Sequence, residues 1–217
     1  MAAAGAKQNA IRSTYEQAAR KKGFALIAGA DEAGRGSLFG PVFAAAVILD
    51  QAKPIRGLRD SKQLSPERRK VLAGRIRERA LAWAVATAEA AEIDAINIYQ
   101  ASRLAIRRAV CLLRPAADYL LVDALRIDLE IPQEGIIHGD ALSPSIAAAS
   151  ILAKVDRDAC LCAWSERYPG YGLERHKGYP TPEHLEALAA HGPTPHHRMT
   201  YGPVRQLPLF PPGEVTA

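Results

Sequence analysis

The hydrophobic and polar positions divide the chain into strand-like and helix-like runs. "FALIAGAD" (24–31) is a short apolar run that predicts a buried strand, and "PVFAAAVILD" (41–50) predicts a second close behind it. The glycine-punctuated connection "GRGSLFG" makes these two strands an expected hairpin. In "DSKQLSPERRKVLAGRIRERAL" and the residues after it, Leu72, Ile76, Ala80 and Trp83 recur at helical spacing with arginines on the other face. Ser65 fits an N-cap and Pro66 the first turn of that helix. "AWAVATA" predicts a third strand, "AINIYQASRLAIRRAVCLL" an amphipathic helix, and "DYLLVDAL" a buried strand that ends in a carboxylate. "EGIIHGD" repeats that last pattern in shorter form. "SPSIAAASILAKVDRDACLCAW" opens on the same Ser-Pro signal and predicts a helix lined with small residues, suited to close packing. "PEHLEALAAHG" predicts a short helix within a stretch rich in Gly, Pro and His.

A hairpin followed by alternating strands and helices predicts an α/β fold, a mixed central sheet flanked by helices. The expected organisation is a peripheral N-terminal segment (1–23), a main α/β domain (24–165), a C-terminal stretch rich in Gly, Pro and His (166–204) and a mobile tail (205–217).

Composition adds limits. At 217 residues, 48% of them hydrophobic, the chain can build one substantial core. Its formal charge is +5, and between Gln51 and Ala80 ten Lys or Arg face three acids, which favours an anionic partner or a solvated helix face. Cys111, Cys160 and Cys162 lack metal-site spacing and read as reduced thiols. The opening "MAAAGAKQNAIRSTYEQAARKKG" has no long apolar core of an export signal, and no apolar run approaches the roughly 18 residues of a membrane span. A cytoplasmic monomer is the expectation.

The chemistry lies in the acids. Three strand-like runs end in carboxylate: "LIAGADE", "YLLVD" and "GIIHGD". One such acid is ordinarily a turn or capping residue. Three in one small domain place Asp31, Glu32, Asp123 and Asp140 where they could converge at one edge of the sheet. Clustered carboxylates repel unless some hold protons or a cation neutralises them. Oxygen-only ligands suit Mg²⁺ or Mn²⁺ rather than zinc. With a basic surface and no phosphate-cradling glycine loop, the pattern points to metal-assisted phosphodiester cleavage. A non-catalytic nucleic-acid-binding module would also use the basic segment but would need no such acids.

Five blocks make the reading specific: "GADEAGRGSLFGPV" (29–42), "LRDSKQLS" (58–65), "YLLVDA" (119–124), "GDALSPSIAAASILAKVDRD" (139–158) and "YPGYGLERHKGYPTPEHLEALAAHGPTPHHRMTYGPV" (168–204). In order and spacing this set resembles bacterial ribonuclease HII. The sister ribonuclease HIII fits less well, since it carries an additional N-terminal substrate-binding domain. The resemblance implies a ribonuclease H-like fold with a C-terminal helical extension, cleavage of RNA in RNA–DNA hybrids, and incision 5′ of single ribonucleotides in duplex DNA. It implies that Asp31, Glu32, Asp123 and Asp140 bind two divalent ions, Mn²⁺ or Mg²⁺. Gly34, Arg35 and Gly36 would read the ribonucleotide, where the 2′-hydroxyl separates RNA from DNA. Tyr179 would pack at the RNA-to-DNA junction, and Ser61, Lys62, Ser150 and Lys154 would hold phosphates.

There are departures and decoys. Ala124 stands where the family usually has glycine, so a positive φ there would strain the turn. Asp128 competes with Asp123, which is preferred because it directly ends the apolar run. Asp156 and Asp158 read as supporting groups. The six histidines, His196 and His197 among them, lack cysteine partners and read as loop packing or phosphate contacts rather than a zinc site. In the tail, "QLPLF" resembles the short peptide by which bacterial replication proteins dock on the sliding clamp. Gln206, Leu207, Leu209 and Phe210 are its candidate contacts, and Pro211 and Pro212 would keep it extended.

Overall fold

A computed structural model describes residues 11–206. In chain order the elements are α1 (Thr14–Lys21), β1 (Ile27–Ala33), β2 (Val42–Ile48), α2 (Pro66–Arg79), β3 (Ala82–Ala88), α3 (Ala90–Leu112), β4 (Tyr119–Asp123), β5 (Gln133–Ile136), α4 (Gly139–Leu142), α5 (Pro144–Arg167), α6 (Leu173–His176), α7 (Pro182–His191) and α8 (Gly202–Arg205). The strands form one five-stranded sheet in the order β3-β2-β1-β4-β5. β1 pairs antiparallel with β2, the expected hairpin, and parallel with β4. β3 extends the antiparallel side and β5 the parallel side.

The two-residue period of the strands sorts the core into layers. Ala28, Ala30, Ala44 and Ala46 face one way and pack with Ala101, Ala105 and Ile106 of α3. Ala45 and Val47 face the other way, against Leu72 and Ile76 of α2 and the alanine-rich stripe of α5. β1 and α5 pack so closely that a Cβ at Gly29 would lie 2.1 Å from the Ser145 carbonyl carbon. Only glycine fits there, and the contact fixes how α5 crosses the sheet.

The Ser-Pro signals mark helix starts as expected. The Ser65 hydroxyl accepts from the Arg68 N–H, and the Ser143 hydroxyl from the Ile146 N–H. Three sequence expectations need correction. α2 stops at Arg79, so Ala80 caps it and Trp83 belongs to β3, where its indole N–H donates to the Arg77 carbonyl. "EGIIHGD" does not end as a strand: β5 closes at Ile136, and Asp140 sits on the one-turn helix α4. The predicted helix at 95–113 begins earlier, at Ala90, and is broken at Asn97 (φ 65°), whose side chain recaps it by accepting from the Tyr99 and Gln100 N–H groups. α1 is also more than a surface appendage. Glu16 and Ala19 are buried, and the Glu16 carboxylate accepts from the Ser143 and Ser145 hydroxyls and the Ser145 N–H.

Ala124 does adopt a positive φ, 50°. A left-handed alanine costs about 1 kcal/mol relative to glycine, and its N–H donating to the Ile136 carbonyl at 3.0 Å helps hold the turn.

From Tyr168 onward the chain folds back on the loop between β1 and β2. Leu38 and Phe39 pack with Leu161, Tyr171, Leu173 and Leu188. Three buried histidines stitch this region together, and their partners fix the tautomers. His197 Nδ1 accepts from the Thr194 N–H at 2.9 Å, so its Nε2 carries the hydrogen that reaches His184 Nε2 at 3.2 Å. His184 Nδ1 in turn donates to the Tyr179 carbonyl at 3.0 Å. His176 donates from Nε2 to the Tyr171 carbonyl and accepts at Nδ1 from the Gly178 N–H. Every ring nitrogen of the three is used in packing, which accounts for these histidines without a metal or a phosphate.

Burial pushes His184 down to about 4 and His197 to about 3. Above pH 6.5 both are neutral folded or unfolded and add no pH dependence. Below it the unfolded chain takes up protons that the folded chain refuses, so stability must fall between pH 6.5 and about 4. Unfolding free energies from urea titrations should fall between pH 7 and pH 5 by on the order of 1 kcal/mol per histidine. The slope should flatten in His184→Gln, and an unchanged slope would contradict the assignment.

Candidate active site

The C-terminal ends of β1 and β4 lie side by side, Ala30 opposite Val122, and this register brings acids from distant parts of the chain together. Asp31, one residue further along β1, is buried and only 5% exposed. Its Oδ1 accepts the Glu32 N–H at 2.7 Å. Asp123 ends β4 and accepts the Gly139 N–H at 2.7 Å, which sets α4, and with it Asp140, against the same end of the sheet. Consecutive strand residues point to opposite faces. Asp31 therefore turns toward α5 with Gly29, and Glu32 toward the other face. Arg35 reaches back to Glu32 Oε1 at 3.3 Å. Glu32 Oε2 is buried and has no hydrogen-bond partner among the described residues.

The electrostatics follow from this crowding. Burial, then the charges of Glu32 and Asp123, raises Asp31 well above the ordinary carboxylate range, although the Ser150 hydroxyl works the other way. Glu32 is raised by burial against the opposing pull of Arg35. Asp140 is raised by burial and by Asp60 and Asp123, with Lys62 opposing. The Lys62 ammonium is 3.8 Å from Asp140 Oδ2 on a side chain that is 82% exposed. Asp60, which the sequence reading passed over, caps the turn Ser61–Gln63 by accepting the Lys62 N–H at 2.9 Å and faces Asp140. Among the described residues no three such side chains already form a group arranged to hold a metal ion. The donor set nevertheless suits a hard divalent cation: all its ligands are oxygens, its carboxylates are held close against their charge, and one buried oxygen is unused.

The other expected residues surround this cluster. Ser150 Oγ lies 2.9 Å from Ser61 Oγ, both side chains are buried, and the pair sits beneath Asp31 rather than at the surface. Lys154 pairs with Asp158 at 2.8 Å and stands over the Tyr179 ring at 5.8 Å. Asp156 pairs with Arg77. Asp128, the decoy, lies away from the acids beside Arg103 and Arg107 on a separate surface groove. Gly34 has φ +98°, and a Cβ there would strike Arg157 Nε at 2.0 Å. Gly36 has room around it: a Cβ there would come no nearer than 3.9 Å, to the Tyr179 ring. The loop Gly34–Gly36 and Tyr179 thus share one wall of the site.

That wall rests on two arginines with no recognisable sequence signal. Arg157 and Arg198 are both fully buried. Arg157 donates to the Lys177 carbonyl at 2.9 Å and lies over the Tyr179 ring at 5.3 Å. Arg198 donates to the Gly40 carbonyl at 3.0 Å and to the Arg35 carbonyl at 2.8 Å.

The comparisons agree with this geometry. The family model described as Ribonuclease HII matches residues 28–204. The chain belongs to the ribonuclease HII family. A ribonuclease HII of Solibacter usitatus is 58% identical over 199 residues, 92% of this chain and 87% of that protein. One from Bacillus subtilis is 51% identical over 208 residues, 93% and 82%. Among solved structures, ribonuclease H2 from Pyrococcus horikoshii superposes with TM-score 0.70 at 27% identity, covering 83% of this chain and 96% of that one. Ribonuclease HII of Archaeoglobus fulgidus, solved in a complex with PCNA, gives TM-score 0.68 at 27% identity, covering 85% and 98%. The protein is a ribonuclease H, an endoribonuclease that acts on the RNA strand of RNA–DNA hybrids and in removing ribonucleotides from DNA, and its family requires a divalent metal. No helix among the described residues is long and apolar enough to cross a membrane.

Asp31 carries charge at a cost when no cation is bound, since its folded-state proton affinity is raised. Asp31→Asn should therefore raise the melting temperature of the metal-free ribonuclease. Calorimetry in EDTA checks this; an equal or lower melting temperature would remove the claim of stored repulsion.

Proposed function

We propose that Asp31, Glu32, Asp123 and Asp140 hold two divalent ions, Mg²⁺ or Mn²⁺, and that the enzyme hydrolyses the phosphodiester on the 5′ side of a ribonucleotide. The observation that carries the reading is the meeting of acids from β1, β4 and α4 at one sheet end, with burial raising the proton affinity of Asp31, Glu32 and Asp140. Such ions supply Lewis acidity both for the attack of water on phosphorus and for the departing oxygen. Water forms the new P–O bond as the bond to the 3′-oxygen breaks, leaving a 5′-phosphate and a 3′-hydroxyl.

The chain's own groups bind and orient. Lys62, exposed beside Asp140, is placed to meet a phosphate. Ser61 and Ser150, paired and buried beneath Asp31, act by holding that carboxylate, while Lys154 reaches the strand past Tyr179. These contacts fix register and carry little sequence information. The backbone of Gly34, Arg35 and Gly36 reads the 2′-hydroxyl, with Tyr179 packed against the sugar at the junction with DNA.

An end-labelled DNA duplex with one ribonucleotide tests the site. A single cut 5′ to the ribonucleotide is expected with Mg²⁺ or Mn²⁺, and none with EDTA. Glu32→Gln should lower kcat by at least about 10²-fold, in the range of lost electrostatic stabilisation. Cleavage that persists in EDTA would end the metal reading.

The tail adds a partner. Gln206 is exposed, while Leu207, Leu209 and Phe210 lie outside the described residues. We propose that "QLPLF" docks on a replication sliding clamp, a reading supported by its sequence and by the PCNA complex of the Archaeoglobus relative. A clamp pull-down should lose the full-length chain on changing Leu209 and Phe210 to alanine; undiminished capture would refute it.

A further inference from the structure

The loop assigned to ribonucleotide reading is held partly from outside itself. Gly34 is in a left-handed conformation at φ +98°, and Arg35 is held through its carbonyl as well as by the pairing of its exposed side chain with Glu32. Two donors meet on that one carbonyl oxygen. Arg198 Nη1 donates at 2.8 Å and the Tyr201 hydroxyl at 2.6 Å, and Arg198 Nη1 also lies 3.1 Å from the Tyr201 oxygen. The Arg198 guanidinium stacks 5.3 Å from the Tyr201 ring centroid. Both donors come from one short segment, and that segment is itself tied down from a third place. Asp94, in the first turns of α3 before the break at Asn97, accepts the Met199 N–H at 2.8 Å, the Thr200 N–H at 3.0 Å and the Thr200 hydroxyl at 2.6 Å.

We propose that Asp94, Arg198 and Tyr201 form a strut that fixes the Arg35 carbonyl and so sets the enzyme's ability to select a lone ribonucleotide. They are positioning residues: none is argued to touch the reacting atoms. The inference rests on the reading of Gly34–Gly36 as the segment that meets the ribose. A carbonyl that accepts two hydrogen bonds cannot rotate without losing both, so the peptide group between Arg35 and Gly36, with the Gly36 N–H, is held in one orientation. Selection by backbone requires this, because a peptide plane turned even modestly presents its N–H or C=O to the wrong atom. Among the described residues the side-chain hydrogen bonds of Asp94 go to Met199 and Thr200, between Arg198 and Tyr201, so its effect on the loop travels along the strut.

A lone ribonucleotide offers one 2′-hydroxyl in one register, whereas a continuous RNA–DNA hybrid offers a ribose at every register. Loosening the strut should therefore harm the first substrate more than the second. Loss of overall fold would lower both alike.

The test compares kcat/KM on a DNA duplex with one embedded ribonucleotide and on an all-RNA hybrid, for the full chain with Mg²⁺ or Mn²⁺. Tyr201→Phe removes one donor and keeps the ring over Arg198, so it avoids emptying a buried site. The ratio of the two kcat/KM values is expected to shift against the lone ribonucleotide by about 3- to 10-fold, the size of one hydrogen bond. Asp94→Asn, which retains one acceptor and loses the carboxylate, should shift it in the same direction. Gly36→Ala, in open space within the loop, tells the two ideas apart. If Gly36→Ala lowers the ratio while Tyr201→Phe and Asp94→Asn leave it unchanged, the strut is refuted and the loop reading stands. If none of the three changes it, the loop reading falls and the strut with it.

Discussion

The arrangement depends on how closely α5 lies on β1. At Gly29 the two backbones meet with no room for a side chain, and this one contact sets the height and direction of a 24-residue helix. Once the crossing is fixed, the rest of α5 falls into register with the end of the sheet. Ser150 comes beneath Asp31, Lys154 beside Tyr179, and Arg157 under Gly34. The alanines between them hold the approach, since larger side chains would push the helix away. A glycine in the central strand thereby sets where Lys154 stands.

Charge is distributed on two sides of the same loop. On one side the carboxylates are buried at a cost that burial and mutual repulsion impose. On the other, two arginines lie fully buried and donate mainly to backbone carbonyls. Neither group serves stability in the usual way. Crowded carboxylates oppose folding when no cation is bound, and the buried arginines are only partly repaid by backbone carbonyls, since Arg157 Nε and Nη1 and Arg198 Nη2 have no hydrogen-bond partner among the described residues. The active site is thus stiff at its wall and strained at its floor.

Much of this was legible from residue patterns because it is local. The Ser-Pro helix starts, the hairpin around "GRGSLFG" and the apolar run ending at Asp123 each depend on neighbours in sequence. Trp83 misled because its spacing continues the apolar stripe of α2 after the chain has already turned into β3. Asp140 misled because "GIIHGD" looks like "YLLVD", yet His138 takes a left-handed turn (φ 58°) that starts α4 instead. Ala124 is legible because a glycine position occupied by alanine points to a positive φ, and it has one. Arg157, Arg198, Tyr201 and Asp94 carried no such signal. Arginine and aspartate read as surface residues until their partners, 20 to more than 160 positions away, are brought to them.

The pairing of β1 with β4, and the grip of Arg198 on Arg35, also impose an order in time. Asp31 is made early in synthesis and Asp123 later, and the loop between β1 and β2 gains its support only after residue 198 has emerged. Contacts of such long sequence separation form late in folding. A growing chain therefore carries Asp31 and Glu32 long before residue 198 arrives to brace the loop beside them.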